Sequence, residues 1–218
     1  MKKVLVIAPH PDDETLGCGG TLLRHKNDGD DIHWLVCTSM PESDDYFFQR
    51  EIEIEKVKDR YGFSGYYNLG LKPTFIDEYS SKFLVDKISS VVQSVKPDIL
   101  YLPFAGDVHS DHKTIFEASL SCTKSFRYPY VKEVYMMETL SETEYAPDSR
   151  SRCFVPNIFV DISDFVDEKV DIMKIYTSEI SDHPFPRSIK NIYALATLRG
   201  SMAGCAYAES FMLIRHIR

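Results

Sequence analysis

Ile7-Ala8-Pro9-His10-Pro11-Asp12-Asp13-Glu14 decides the reading of this chain. It follows an apolar run over residues 4–8 and precedes a glycine-rich segment of helical character, so a strand gives way to a helix here. In open α/β sheets, ligand sites lie outside the carboxyl ends of strands. A histidine and adjacent carboxylates at such a turn suit a metal ion and its base better than they suit a core. A second stretch, Asp107-Val108-His109-Ser110-Asp111-His112, has the same character and follows another apolar run, residues 99–104. The two stretches are expected to meet in space.

Working outward, residues 4–8 form the short continuous apolar run of a central parallel strand covered on both faces. Helical spacing is expected over 15–27, 50–60, 80–95, 113–122, 164–176 and 192–209, the last running through Gly200 and Gly204. In the second of these, Ile52, Ile54 and Val57 are available for a buried face. Further strands are expected over 32–38, 66–69, 99–102, 132–137 and 159–162, with 211–214 closing the sheet as an edge strand. Gly70-Leu71-Lys72-Pro73, residues 141–152 and His183-Pro184-Phe185-Pro186 read as loops. Strands alternating with helices imply an α/β fold with a mostly parallel, doubly wound sheet, and one domain over 1–218 is the simplest organisation.

Composition narrows the function classes. The chain has 218 residues, 44% hydrophobic and 27% charged, which is ordinary for a globular protein. Its net charge is -8 with Lys and Arg scattered, which argues against nucleic acid and anionic membrane surfaces as partners. The five cysteines, Cys18, Cys37, Cys122, Cys153 and Cys205, are far apart and make no CxxC, as in a cytoplasmic protein with reduced thiols. The apolar run at 4–8 is shorter than the roughly 7–15 residues of a signal-peptide core. No stretch approaches the ~20 apolar residues of a membrane span.

Catalytic zinc takes three His, Asp or Glu ligands and leaves a position for water. His10 and Asp13, three apart at the turn, can share one ion, and His112 is the best source of the third ligand. Two imidazoles and a carboxylate suit Zn²⁺, with Fe²⁺ or another divalent ion also accommodated. Asp12 is then left beside the ion, placed to take a proton from an activated water and return it to a leaving amine. His109 is placed to donate to a developing oxyanion. Asp111 is expected to orient His109 or to hold it protonated. These roles fit hydrolysis of an amide or ester without a covalent enzyme intermediate. His25, His33, His183 and His216 read as structural. Gly17-Cys18-Gly19-Gly20 lacks both the Lys-Ser/Thr of a P-loop and a GxGxxG pattern, so close helix packing is the better reading.

With these residues in hand, the pattern Pro9-His10-Pro11-Asp12-Asp13-Glu14, then Gly17 to Gly20, then Asp107-x-His109-x-Asp111-His112, resembles the PIG-L/LmbE-like zinc N-deacetylases. Weaker likeness extends to residues 50–55, Leu69-Gly70-Leu71, Arg199-Gly200 and Tyr207-Ala208-Glu209-Ser210-Phe211. Family members usually carry alanine where Pro9 stands. The resemblance implies a Rossmann-like fold, metal ligation by His10, Asp13 and His112, Asp12 as general base, and His109 with Asp111 assisting the oxyanion. It implies an N-acetylated sugar or sugar conjugate as substrate, and it places Arg50 where some relatives contact substrate. Many relatives read Ser-Gln where this chain has Ser178-Glu179, in a loop that helps define the acceptor side. Phe47, Phe48, Phe75, Phe126, Tyr128 and Tyr130 are available to stack on sugar rings, although core or interface roles account for more of them.

The leading function is therefore metal-dependent removal of acetyl from an amino sugar. The same chemistry on a nucleotide- or thiol-linked conjugate is a close variant. A sugar-binding protein with a structural or vestigial metal site is the alternative of another class, and metal-dependent phosphoester hydrolysis a further one. The particular acetylated sugar, the metal in vivo and the oligomeric state, a homo-oligomer included, are left open.

Overall fold

Val4, Leu5, Val6, Ile7 and Ala8 are wholly excluded from solvent, and they alternate between two cores. Val4, Val6 and Ala8 pack into one, Leu5 and Ile7 into the other. A strand apolar at every position is thus covered on both faces, as its composition requires. The computed structural model describes residues 1–146 and 153–218.

That strand, β1 (Lys3–Ala8), leads into α1 (Asp13–Asn27), β2 (Asp31–Thr38), α2 (Phe47–Tyr61), β3 (Gly65–Leu71) and α3 (Ser81–Val95). There follow β4 (Ile99–Leu102), α4 (Ser110–Ser121), β5 (Glu133–Met137), β6 (Ile158–Asp161), α5 (Val166–Met173), α6 (Ile189–Ala203) and β7 (Ala208–His216). Among the described residues the seven strands form one sheet in the order β3-β2-β1-β4-β5-β7-β6. β1 pairs parallel with β2 and β4, β2 with β3 and β4 with β5, whereas β7 runs antiparallel to β5 and β6. The fold is α/β with a mostly parallel sheet. One core packs Leu22, Ile54, Ile172 and Ile192 from α1, α2, α5 and α6. The other packs Leu84 and Ile88 from α3 with Ile115 and Ala118 from α4.

The strand order reverses between β1 and β4, because the chain builds outward to β2 and β3 and then returns to lay β4 on the other side of β1. A crevice opens at the carboxyl ends of such a pair. The two His/Asp stretches follow these two strands, which is why residues about a hundred positions apart share one site.

Several boundaries differ from the expected ones. β3 extends through Leu71, which pairs with Thr38, so Gly70-Leu71 belongs to the strand and the loop starts at Lys72. α4 begins at Ser110, drawing Asp111 and His112 into its first turn. α6 stops at Ala203 because Gly204 takes a left-handed conformation (φ 76°) and its N–H caps Gly200 O. Ala208 and Glu209, expected in that helix, open β7 instead. β7 lies inside the sheet rather than at its edge, which β3 and β6 form. Ile52 is exposed, while Ile54 and Val57 carry the buried face of α2. The loop expected over 141–152 is seen as turns through residue 146; residues 147–152 lie outside the described residues.

α1 is interrupted at Cys18 (φ -148°, ψ 22°). The break is compensated by a buried ion pair. Glu209 accepts the N–H groups of Gly20 (2.9 Å) and Thr21 (2.7 Å), and Lys169 Nζ donates to Leu16 O (2.9 Å) and to Glu209 Oε1 (2.7 Å). The glycines let neighbours close in on this helix. A Cβ on Gly20 would lie 2.8 Å from Cβ of the stiff, β-branched Ile162. Gly20→Ala is therefore expected to destabilise the fold by about 1–3 kcal/mol through overpacking. A denaturant midpoint at or above the wild-type value would show that the helix can move aside.

Candidate active site

Asp12 is the N-cap residue of α1, with φ 132° and ψ -27°, backbone geometry that non-glycine residues seldom adopt. Its N–H donates to Glu14 Oε2 (3.1 Å). Glu14 is fully buried and accepts from Thr15 Oγ1 (2.6 Å) and Tyr176 Oη (2.9 Å). Burial pushes the Glu14 carboxyl up to about 7 against these hydrogen bonds. Glu14 thus braces the turn from beneath, and its neighbours Asp12 and Asp13 are presented to the crevice.

Asp13 lies in the first turn of α1, where its Oδ2 accepts the His10 N–H (2.8 Å). The same oxygen is 3.4 Å from His10 Nδ1 and 3.2 Å from His112 Nε2. From the other strand, His109 caps α4, and Asp111 and His112 follow in its first turn. The two sequence stretches therefore meet, and His10, Asp13 and His112 offer donor atoms that all lie within 4.8 Å of one another.

The arrangement fits a metal ion on the donors themselves. His112 is 1% exposed. Its Nδ1 is bonded to Asp107 Oδ2 (2.8 Å), and Asp107 accepts from Thr143 Oγ1 (2.7 Å) through its other oxygen. Its Nε2 is buried and meets Asp13 at 3.2 Å without hydrogen-bond geometry, an orphaned nitrogen that an ion would satisfy. His10 Nε2 is likewise paired to Asp111 Oδ2 (2.9 Å). Each imidazole thus has a carboxylate behind it and one nitrogen turned toward Asp13, the arrangement by which proteins orient histidine ligands. Zinc or a similar borderline dication matches two imidazoles and a carboxylate. His10, His109 and Asp111 form a second cluster of donors. In it His10 Nε2 is already bonded to Asp111 Oδ2 and His109 Nδ1 already accepts the Asp111 N–H, so the first set fits an ion better.

One expected contact is corrected. The Asp111 carboxylate turns to His10 and takes the N–H groups of Thr74 (2.8 Å) and Ile76 (3.3 Å) rather than backing the His109 ring. What reaches His109 from Asp111 is its backbone N–H, donated to His109 Nδ1 (3.1 Å). A ring whose Nδ1 accepts carries its proton on Nε2 when neutral. Burial, and then His10, lower the His109 pKa. His109 is thereby prepared as a neutral N–H donor, with no need to be held protonated.

The electrostatics of the cluster follow from mutual contact. Burial alone would lower His10, but its hydrogen bonds to the Asp111 and Asp13 carboxylates outweigh it and raise it to about 9. Burial alone would raise Asp13, but His112 and His10 outweigh it and hold it low. Asp12 has no such partner in bonding range: burial, then Asp13 and Glu179, push it well up, and Arg187, with Nε 4.0 Å from Asp12 Oδ2, opposes them. A carboxylate of raised proton affinity serves proton transfer near neutral pH better than an ordinary one.

These residues open into a pocket of about 260 Å³. His10, Asp12, Asp13 and His109 line it together with Arg50, Glu179, Arg187, Ser141 and Glu142. Arg50 is at the pocket but 4% exposed, and it is tied to Glu179, Ser178 (2.8 Å) and Pro11 O (3.4 Å). None of the aromatics offered for sugar stacking is among the described lining residues, whose apolar members include Leu16, Met40 and Ile54. Phe48 and Phe126 are exposed, and Tyr128 is buried. Arg187 and Glu142 were not anticipated: each stands in a loop, and nothing in its immediate sequence signals a site.

The comparisons agree with the geometry. A family model described as GlcNAc-PI de-N-acetylase (PIG-L) matches residues 5–123. The diacetylchitobiose deacetylase of Thermococcus kodakarensis is 24% identical, over 98% of this chain and 84% of that relative. Among solved structures, the conserved protein TT1542 from Thermus thermophilus superposes with a TM-score of 0.81 at 24% identity, covering 100% of this chain and 97% of that one. GalB, the 4-carboxy-2-hydroxymuconate hydratase of Pseudomonas putida, superposes with a TM-score of 0.73 at 19% identity, covering 100% and 98%. Since one fold hosts different reactions, the family rests on the matched motifs rather than on shape. With both His/Asp stretches inside the matched residues and brought together in one crevice, the chain belongs to the PIG-L family of de-N-acetylases.

Proposed function

We propose that this chain is a divalent-metal-dependent hydrolase that removes the acetyl group from an N-acetylated amino sugar or its conjugate, releasing acetate and a free amine. The observation that carries the proposal is the orphaned His112 Nε2 facing Asp13 and His10, with Asp12 and His109 in the same pocket. His10, Asp13 and His112 hold the ion, and zinc suits them best. Bound there, a dication supplies Lewis-acid polarisation and acidifies water.

The chain's own residues do the rest. Asp12 takes a proton from the attacking water as the water oxygen bonds to the acetyl carbon. His109 donates its Nε2–H to the carbonyl oxygen as charge develops there, a contact worth roughly 2.7–4 kcal/mol in acyl transfer. Asp12 then gives its proton to the sugar nitrogen as the C–N bond breaks. Acetic acid ionises on release, and the amino sugar leaves with its nitrogen free. Asp111 and Asp107 hold the rings of His10 and His112, and Glu14 braces the turn that presents Asp12.

Cys18, Cys37 and Cys122 are buried thiols, which fits a reducing compartment, and we assign the enzyme to the cytoplasm. Among the described residues no helix is long and apolar enough to cross a membrane.

The test is acetate release from free, lipid-linked, nucleotide-linked and oligomeric N-acetyl sugars, with the protein zinc-loaded and then chelated. Release from at least one member, lost on chelation and regained on zinc addition, is the expected result. Release that survives complete metal removal would overturn the metal's part. No release from any, with zinc bound at one per chain, would favour a sugar-binding protein of the same fold.

A further inference from the structure

Resting on that deacetylase reading, we infer that the unit joined to the acetylated sugar is uncharged or carries an ammonium group, never a carboxylate or phosphate, and that Glu142 is the residue that selects it. The pocket's cations, among its described lining residues, are the guanidiniums of Arg50 and Arg187, the histidines aside. Both are already matched. Arg50 is paired with Glu179, lies 3.6 Å from Glu53, and has the rings of Tyr46 and Tyr176 at 5.7 and 5.5 Å. Arg187 turns one edge onto Glu179, with Nη2 at 3.1 Å from Oε2 and Nε at 2.9 Å from the carbonyl, and Nη1 donates to Ser141 Oγ (2.9 Å). Arginine captures carboxylate or phosphate by presenting an open pair of N–H groups. Here that capacity is directed at the protein's own Glu179.

Asp12, Asp13, Glu51, Glu142 and Glu179 line the same pocket. These five carboxyl groups outnumber the two guanidiniums. An anionic neighbour to the acetylated sugar would enter a field of its own sign, whereas hydroxyls and ammonium groups would find acceptors. Glu142 is the acceptor with capacity to spare. Its backbone is anchored, since its N–H donates to Thr139 O (3.2 Å) and its carbonyl accepts from Val108 (3.2 Å). Its Oε1 takes Ser141 Oγ (3.3 Å), and its Oε2 is buried without a hydrogen-bond partner. A buried carboxylate oxygen left unmet is costly, and a donor from the bound ligand removes that cost.

The test titrates the zinc-loaded protein calorimetrically with three disaccharide analogues. In each, the reacting acetamide is replaced by methanesulfonamide, which has no acyl carbon to hydrolyse. The neighbouring unit is N-acetylglucosamine, glucosamine or glucuronate, so that only its charge changes. The neutral and ammonium analogues are expected to bind at least about tenfold more tightly than the carboxylate one, by an amount that shrinks as salt is raised. Glu142→Gln is expected to weaken the ammonium analogue by about tenfold and the neutral one by less. Equal or tighter binding of the glucuronate analogue, an unchanged ammonium-to-neutral ratio in Glu142→Gln, or failure of every analogue to bind would overturn the inference. Acetate release from the parent disaccharides is scored separately. Binding in the expected order without release supports the selectivity and sinks the deacetylase reading alone.

Discussion

Asp12→Asn is expected to retain zinc at its wild-type stoichiometry and to lose at least about 10²–10⁴-fold in kcat, the range carried by a positioned general acid–base. Each factor of ten corresponds to about 1.36 kcal/mol of barrier. Asparagine is the informative replacement because the position has φ 132°. Asparagine tolerates positive φ better than most residues, so the turn is kept while the proton acceptor is removed. Alanine would confound lost chemistry with backbone strain. Asp12 is 6% exposed and lines the pocket. Steady-state acetate release and metal content, measured on the same preparation, check the expectation. A near-wild-type rate with bound metal would assign the base elsewhere, with Glu142 the next carboxylate of the pocket to test.

The second large effect concerns stability. Glu209→Ala is expected to destabilise the fold by about 3–5 kcal/mol, as does removal of one partner from a buried ion pair. Lys169 and Glu209 are each 5% exposed, and the loss of Glu209 strands the ammonium together with the N–H groups of Gly20 and Thr21. Lys169→Met is expected to cost less, since Glu209 keeps those two N–H donors. The double variant Lys169→Met/Glu209→Leu should recover part of the loss but not all of it, because the interrupted helix still lacks its cap. Urea midpoints of the four proteins give the comparison. Equal costs for the two single changes would mean that the pair acts only through its charges and that the capping adds nothing.

The parts of this structure legible in the sequence are those with local signals. Residues 4–8 read as a central strand because they are apolar at every position. The His/Asp stretches stood out because four or more polar, chemically active residues followed two such strands. Their meeting followed from a general property of open sheets. Glu209 was unreadable for a specific reason. β7 opens with Ala208, Glu209 and Ser210, all buried, and the two polar side chains face inward to serve as partners. The strand therefore shows no alternation there, and alanine and glycine upstream carry a helical pattern past its true end at Gly204. Asp111 was placed in the site but given the wrong partner, since its bond to His10 spans 101 positions and depends on how α4 leaves β4. The start of α4 was set too late because Asp111 and His112 look like a polar turn, yet His109 Nδ1 caps the helix and admits them to its first turn.

The position of the crevice has a consequence for how such a protein changes over time. Every residue in the proposed reaction comes from the two segments that follow β1 and β4, and their geometry is set by neighbours in those segments, by buried braces beneath, and by the backbone N–H groups of Thr74 and Ile76 on Asp111. The wall that meets the rest of a substrate is drawn from α2, through Arg50, Glu51 and Ile54, and from other loops: Met40 after β2, Thr74 after β3, Ser141 and Glu142 after β5, and Glu179 and Arg187 between α5 and α6. Division of labour of this kind separates two sorts of inheritance. A lineage can exchange the wall piece by piece, acquiring a new clientele, while the reacting centre is handed on unaltered.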